Sequence, residues 1–130
     1  MSDDAVWAGL EAVLQPVGSL FGQLLHVASL RNPLHGTYEC QLLNRAGNEN
    51  AVNVALKQCH ADLFEQWLAL NEADRRSDLA RHLKSEDSYA LLLLRSMHAS
   101  GMLANLSPDG ASDQDRQLFR DGIGAILKLQ

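Results

Sequence analysis

Residues 49 to 70 read ENAVNVALKQCHADLFEQWLAL, and this stretch decides the fold. Its apolar side chains recur every three or four residues, at Val52, Leu56, Cys59, Leu63 and Leu70. That period places them on one face of an α-helix. The stretch therefore predicts a long helix that turns this face toward a core, with Asn48 or Asn50 as its N-cap.

Comparable helical patterns lie on both sides of this stretch. They cover about residues 3 to 15, 19 to 31, 71 to 84, 85 or 87 to 105, and 113 to 128. Asn71 with Asp74, and Ser112 with Asp115, have the spacing of helix N-terminal caps. Alternation of β-branched or aromatic residues is nearly absent, which argues against strands. We predict one all-α domain over residues 1–130, a compact bundle of about five to six helices.

Two segments of this pattern carry specific expectations. Residues 33 to 48 predict one long loop, because Pro33, Gly36 and Gly47 interrupt the helical pattern, with at most a short helical turn around 40 to 44. Leu91 to Leu94 place apolar groups all round the helix of residues 85 to 105, which predicts a buried central helix.

Glycines near both ends of the chain indicate close packing. Gly122 and Gly124, inside the last predicted helix, mark either close approach to a neighbouring helix or an early helix break. Gly18 and Gly22 form a small-residue pair that permits a neighbouring helix to approach closely.

Composition limits the class of protein. The 130 residues are 46% hydrophobic with a net charge of −5, which argues against disorder. The chain lacks the basic excess that binds nucleic acid, and its longest apolar run, Ala90 to Leu94, is too short to span a membrane. Asp3 and Asp4 stand where an export signal would carry basic residues, so we expect a cytoplasmic protein with reduced Cys40 and Cys59.

Familiar catalytic motifs are missing. The sequence contains no His-Glu-x-x-His, no Walker A motif and no Gly-x-Ser-x-Gly. We therefore predict no cofactor and favour a non-enzymatic protein. Catalysis stays open, because single His, Asp and Arg residues can assemble in space without a linear motif.

Four residues have side chains suited to zinc: His35, Cys40, Cys59 and His60. Their spacing does not match a paired Cys-x-x-Cys site, and adjacent Cys59 and His60 point about 100 degrees apart on a helix. The alternative is that Cys59 packs as a small apolar residue while His60 lies at the edge of the core. The sequence favours this alternative, so no metal is predicted.

A ligand site is the second candidate. His60, Phe64 and Trp67 share one helix face, and the long loop could add a polar rim of Arg31, Asn32, Tyr38 and Arg45. His35 in the same loop is a further candidate. More often such a face is the core side of a helix, with the histidine hydrogen-bonded to a nearby carbonyl. Asp78 and His82, four residues apart, predict a surface pair.

Four short segments are shared, in this order, with a known family. They read LRNP at 30–33, GTY at 36–38, HADLFEQWL at 60–68 and RQLF at 116–119. In these segments the chain resembles a family of small bacterial all-helical proteins that has no assigned function, over about residues 24 to 129. The resemblance implies a shared fold and no particular activity. This chain has His35 where Thr is usual in that family, and Cys40 where His is usual.

Two functional hypotheses follow. The first is an interaction module that forms a homodimer and presents a surface to another protein, because the first 30 residues are strongly apolar and contain no Lys or Arg. The second is a small-ligand or metal-binding protein that uses the loop from Arg31 to Arg45 together with His60 and Trp67.

Overall fold

The computed structural model describes residues 2–31 and 38–128, and these residues form helices and turns without any strand. The all-α prediction is confirmed for this part of the chain. It contains seven α-helices and one 3-10 helix, whereas the sequence predicts five to six helices. They are α1 (Ser2–Leu14), α2 (Leu20–Leu30), α3 (Tyr38–Ala46), α4 (Glu49–Ala69), α5 (Glu72–Ser85), α6 (Ala90–Ser100), the 3-10 helix (Met102–Leu106) and α7 (Asp113–Lys128).

Helix α4 lies at the centre of one connected apolar core. Four aromatic rings from α2, α4 and α7 meet there. Trp67 lies edge-on to Phe119 with ring centres 5.1 Å apart, while Phe64 and Phe21 lie 5.3 and 6.2 Å from the same ring. The apolar stripe of residues 49 to 70 therefore faces the core, as its period predicts.

Side-chain caps begin four of the helices. The Ser19 hydroxyl accepts a hydrogen bond from the backbone N–H of Gly22 and starts α2. The predicted caps Asn48, Asn71 and Ser112 are all present, each accepting the backbone N–H three residues further along the chain. These bonds satisfy backbone donors that a helix N-terminus otherwise leaves unpaired.

The glycines of α7 mark close approach and not a helix break, since α7 runs unbroken past both. A Cβ added at Gly124 would lie 2.7 Å from Nε2 of His98 on α6. A Cβ at Gly122 would lie 3.2 Å from the ring of Trp67 on α4. The two glycines thus allow α7 to pack against both helices.

The prediction of one long loop over residues 33–48 is wrong for its second half. Residues 38 to 46 form α3, a helix of nine residues. Its Leu43 is buried, and a Cβ at Gly9 of α1 would lie only 3.0 Å from that side chain. Packing against α1 stabilises a helix whose own sequence is too short and polar to predict it. Residues 32 to 37 lie outside the described part.

The prediction of a buried central helix over residues 85 to 105 is also wrong. Helix α6 ends at Gly101, whose φ of 78° is in the left-handed region, and the 3-10 helix follows. Leu94 is the only buried residue of α6, while Leu92 and Leu93 are 64% and 62% exposed. Only one side of α6 faces the core, so a run of leucines around its circumference leaves large apolar groups in solvent.

Across the described residues, no helix combines the length and the apolar character that crossing a membrane requires.

Candidate functional site

His60 is buried, at 3% exposure, and both of its ring nitrogens have partners. Nδ1 lies 2.9 Å from Nη1 of Arg31, and Nε2 lies 2.6 Å from the carbonyl oxygen of Leu106. A guanidinium only donates and a carbonyl only accepts, so Nδ1 must accept a hydrogen bond and Nε2–H must donate one. The geometry thus assigns a neutral imidazole with the proton on Nε2.

Arg31 extends this arrangement to the surface. It is the C-cap residue of α2, and its Nη2 donates to Oδ2 of Asp109 at 2.7 Å. The hydrogen bond from Arg31, together with its charge, lowers the pKa of the Asp109 carboxyl. Asp109, Arg31, His60 and the Leu106 carbonyl therefore form one polar row, which joins α2, α4, the 3-10 helix and the loop before α7.

Burial is the main cause that lowers the pKa of His60, and the nearby charge of Arg31 lowers it further against the opposing effect of the Leu106 carbonyl. The ring stays neutral near pH 7 and has no free lone pair to bind a metal ion or to accept a proton from a substrate. A core-side histidine hydrogen-bonded to a nearby carbonyl is the arrangement predicted from the sequence as the alternative to a ligand site.

Trp67 lies in the core and has no exposed surface. Its ring contacts Phe119 and Phe21, and the Arg75 guanidinium lies 5.1 Å from its centre. Neither Trp67 nor His60 lines any of four grooves on the surface of the described residues. His60 and Trp67 are two turns apart on α4. Polar groups contact His60, whereas mainly aromatic rings contact Trp67, and the two do not form one site.

The remaining predicted site residues are placed only in part. His35 lies outside the described residues, and Tyr38 and Cys40 belong to α3 although their side chains are not described. Cys59 is a buried free thiol whose pKa is raised by burial. Within the described residues, no three His, Cys, Asp or Glu side chains are grouped so that they could hold a metal ion.

A groove that the sequence did not predict lies between α2, α5 and α6. Its volume is about 400 Å³. Its apolar lining includes Val17, Phe21, Leu25, Leu94 and Met97, and its polar lining includes His26, Ser29, His82, Glu86 and Asp87. We call it the α2–α6 groove.

His82 corrects a further prediction, because it does not form a surface pair with Asp78. Asp78 is 2% exposed and accepts the backbone N–H groups of Leu20 and Phe21, both at 2.8 Å, at the start of α2. His82 is 7% exposed and packs edge-on to Phe21, with ring centres 5.1 Å apart. Tertiary contacts with α2 bury both residues, which a spacing of four on one helix cannot reveal.

The ring nitrogens of His82 have no hydrogen-bond partner among the described residues and are reached by solvent, whereas Nε2 of His26 is buried and unpaired. Burial lowers the pKa of His82, although the Glu86 and Asp78 carboxylates act in the opposite direction. The groove thus contains imidazole groups whose hydrogen-bonding capacity is unused. Positions 26 and 82 are too far apart in sequence for any motif to reveal them.

The outer side of α6 is a second unpredicted feature. Tyr89, Leu92 and Leu93 are 71%, 64% and 62% exposed and follow the spacing i, i+3, i+4. We call these three residues the α6 surface. Exposed Glu86 and Asp87 precede it along the chain, and exposed Arg95 follows it.

Comparison of the chain with models of protein families, with curated proteins and with solved structures gave no match in any of the three.

Proposed function

We propose that this protein is a non-enzymatic, cytoplasmic interaction module that self-associates by antiparallel packing of α6 against α6 of a second copy. The supporting observation is the α6 surface. Three large apolar side chains, each more than three-fifths exposed, lie at the start of one helix, with Tyr89 as its N-cap residue. Single exposed apolar residues are ordinary on protein surfaces, whereas a contiguous group of them is typical of an interaction site.

The charges around the α6 surface favour a second copy as the occupant. Acidic Glu86 and Asp87 lie before the apolar residues and basic Arg95 lies after them. In a two-fold, antiparallel pair centred near residue 91, the acidic end of each helix approaches Arg95 of the other. The same pairing sets Tyr89 opposite Leu93 of the second copy. A parallel pair would bring like charges together, so the surface is self-complementary in one orientation only.

The first two helices are less suited to this role than their sequence indicates. Phe21, Leu24 and Val27 of α2 are fully buried within the same chain and cannot contribute to a dimer without unfolding. Because these side chains are buried within one chain, we place the proposed dimer interface on α6 and not on the first 30 residues.

Binding of a ligand or metal through His60 and Trp67, the alternative from the sequence, gains no supporting contact. The ring nitrogens of His60 are both engaged, and Trp67 is enclosed by other aromatic rings.

Sedimentation velocity across the micromolar range tests the proposal. We expect the 14.3 kDa chain to approach twice that mass with rising concentration, and Leu92→Glu to remain monomeric. Val54→Glu is a matched control, because Val54 on α4 is 61% exposed and lies away from α6. It adds the same charge and should still dimerise. A wild-type monomer at every concentration, or equal dissociation by both variants, would contradict the proposal.

A charge exchange tests the orientation. Arg95→Glu should weaken the dimer because it faces the acidic end of the second copy, and adding Asp87→Arg to the same chain should restore it. Such recovery is the coupling that a double-mutant cycle measures. If the double variant is weaker than Arg95→Glu alone, the antiparallel arrangement is incorrect even where Leu92→Glu abolishes the dimer.

A further inference from the structure

The α2–α6 groove has the size and lining of a small-molecule site. Its volume of about 400 Å³ lies within the range of ordinary ligand pockets. Phe21, Leu25, Leu94 and Met97 supply a mainly apolar wall, and the polar groups are few. Such a combination gives a ligand apolar contact area while a small number of polar contacts fix its orientation.

Two histidines in this groove lack the partners that buried polar groups normally have. His82 is 7% exposed and lines the groove, yet its ring nitrogens form no hydrogen bond with any described residue. Nε2 of His26, which lines the same groove, is buried and also unpaired. The His82 nitrogens are reached by solvent, so a molecule in the groove can replace water as their hydrogen-bond partner. His60 is also buried but has partners for both of its ring nitrogens, so burial alone does not explain the missing hydrogen bonds of His26 and His82.

The charges of the groove define the polar part of this molecule. Glu86 and Asp87 are the charged residues of its lining, and no Lys or Arg contributes to the lining within the described part of the chain. A carboxylate or phosphate would therefore be repelled. An ammonium group would be attracted, and its N–H groups can donate to an imidazole lone pair and to carboxylate oxygens.

The neutral state of His82 is consistent with such a ligand. Burial lowers the pKa of this imidazole, so at neutral pH the ring keeps a lone pair that can accept a hydrogen bond. Tyr89, exposed at the edge of the groove, adds an aromatic face that can contact a cation.

We propose that the α2–α6 groove binds an apolar amine, with its hydrocarbon part against Leu25 and Met97 and its ammonium group toward His82, Glu86 and Asp87. The groove shares Tyr89, Leu93, Glu86 and Asp87 with the proposed dimer interface, but Leu92 does not line it. Leu92→Glu should therefore retain amine binding after it has lost self-association, which separates a failure of one proposal from a failure of the other.

Isothermal titration calorimetry with three probes that share one skeleton tests the proposal: phenylbutylamine, phenylbutanol and phenylbutanoic acid. We expect the amine to bind about tenfold more tightly than the alcohol, with the acid weakest. If none of the probes binds, or if the acid binds as well as the amine, the proposal is overturned. Equal binding of amine and alcohol would overturn its ammonium part and leave only an apolar groove.

Variants locate the binding. His82→Phe keeps an aromatic ring beside Phe21 but removes the nitrogens, and should lose most of the preference for the amine over the alcohol. The double change Glu86→Gln with Asp87→Asn alters exposed side chains, and the Asn amide oxygen can still accept the backbone N–H of Tyr89 as Asp87 does. It should leave the fold intact and reduce amine affinity about tenfold. Glu65→Gln, an exposed carboxylate on α4 that is absent from the groove, is the matched control and should bind as the wild type does. Full amine affinity in both groove variants, or an equal loss in the control, would contradict the assignment.

Discussion

Two buried histidines, His60 on α4 and His82 on α5, show how differently one side chain is held in two regions of this protein. His60 donates to the Leu106 carbonyl and accepts from Arg31, so that it joins separate segments of the chain. His82 is nearly as buried, yet it has only the packing contact with Phe21 and the wall of the α2–α6 groove. Burial lowers the pKa of both, so the charge state does not distinguish them.

The difference teaches that hydrogen-bond partners, and not burial, separate a structural histidine from one that is available to a ligand. Removing His60 leaves the Leu106 carbonyl and Nη1 of Arg31 without their partner. Removing the nitrogens of His82 leaves no described group unpaired. Substitution should therefore destabilise the fold far more at His60 than at His82.

The largest expected effect is that of His60→Ala. We expect a loss of about 2–4 kcal/mol in the free energy of unfolding, because the change creates a cavity beside α4 and leaves the Leu106 carbonyl unpaired. Urea unfolding followed by circular dichroism measures it. The matched control, Asn53→Ala, lies on an exposed position of the same helix and should change stability by less than about 0.5 kcal/mol. Equal effects of the two changes would show that the polar row adds no stability.

Sequence reasoning succeeded where a periodic pattern coincided with the actual neighbours. The stripe of residues 49 to 70 faces the core, and Asn48, Asn71 and Ser112 cap helices because their local chemistry suffices. It failed for α6, where an apolar run around the helix indicated burial on every side. Whether Leu92 is covered depends on how many neighbours reach α6, and no local pattern records that number.

The candidate sites show the same limit. The spacing of His60 and Trp67 correctly indicated that both lie near the core. The Leu106 carbonyl that pairs with His60 is 46 residues further along the sequence, so no local pattern predicts it. His26 and His82 approach one groove only after α2 and α5 pack together, and Gly22 is the single local sign. A Cβ there would lie 2.6 Å from the capping hydroxyl of Ser19 and 3.2 Å from Nδ1 of His82, so a larger residue would disturb both the cap and this contact.

An intermediate effect is expected from pH. Since the folded-state pKa of His60 and of His82 is lowered, the unfolded chain binds more protons than the folded chain once the pH falls below the unfolded value of about 6.5. Stability should thus be constant above that value and decrease as the pH falls through the window below it. Each histidine contributes at most about 1.4 kcal/mol per pH unit inside this window.

Urea unfolding from about pH 5 to about pH 8, the range in which histidine titrates, measures this dependence. His60→Gln and His82→Phe should each remove part of the slope, because each removes one group whose protonation differs between the two states. Asp109, whose pKa is also lowered, adds its own loss of stability only at more acidic pH. A wild-type stability that rises on acidification would contradict the lowered pKa values.

The smallest expected effect, and the sharpest test of the comparison, is that of His82→Phe on stability. Phenylalanine can keep the edge-on contact with Phe21 and carries no nitrogen to desolvate, so unfolding at pH 7 should change by less than about 1 kcal/mol in either direction. The same substitution should remove most of the amine preference of the groove, which separates a binding role from a structural one. A loss as large as that of His60→Ala would mean that the His82 nitrogens stabilise the fold as those of His60 do. The two histidines would then belong to one structural class, and the groove would lose its main polar group.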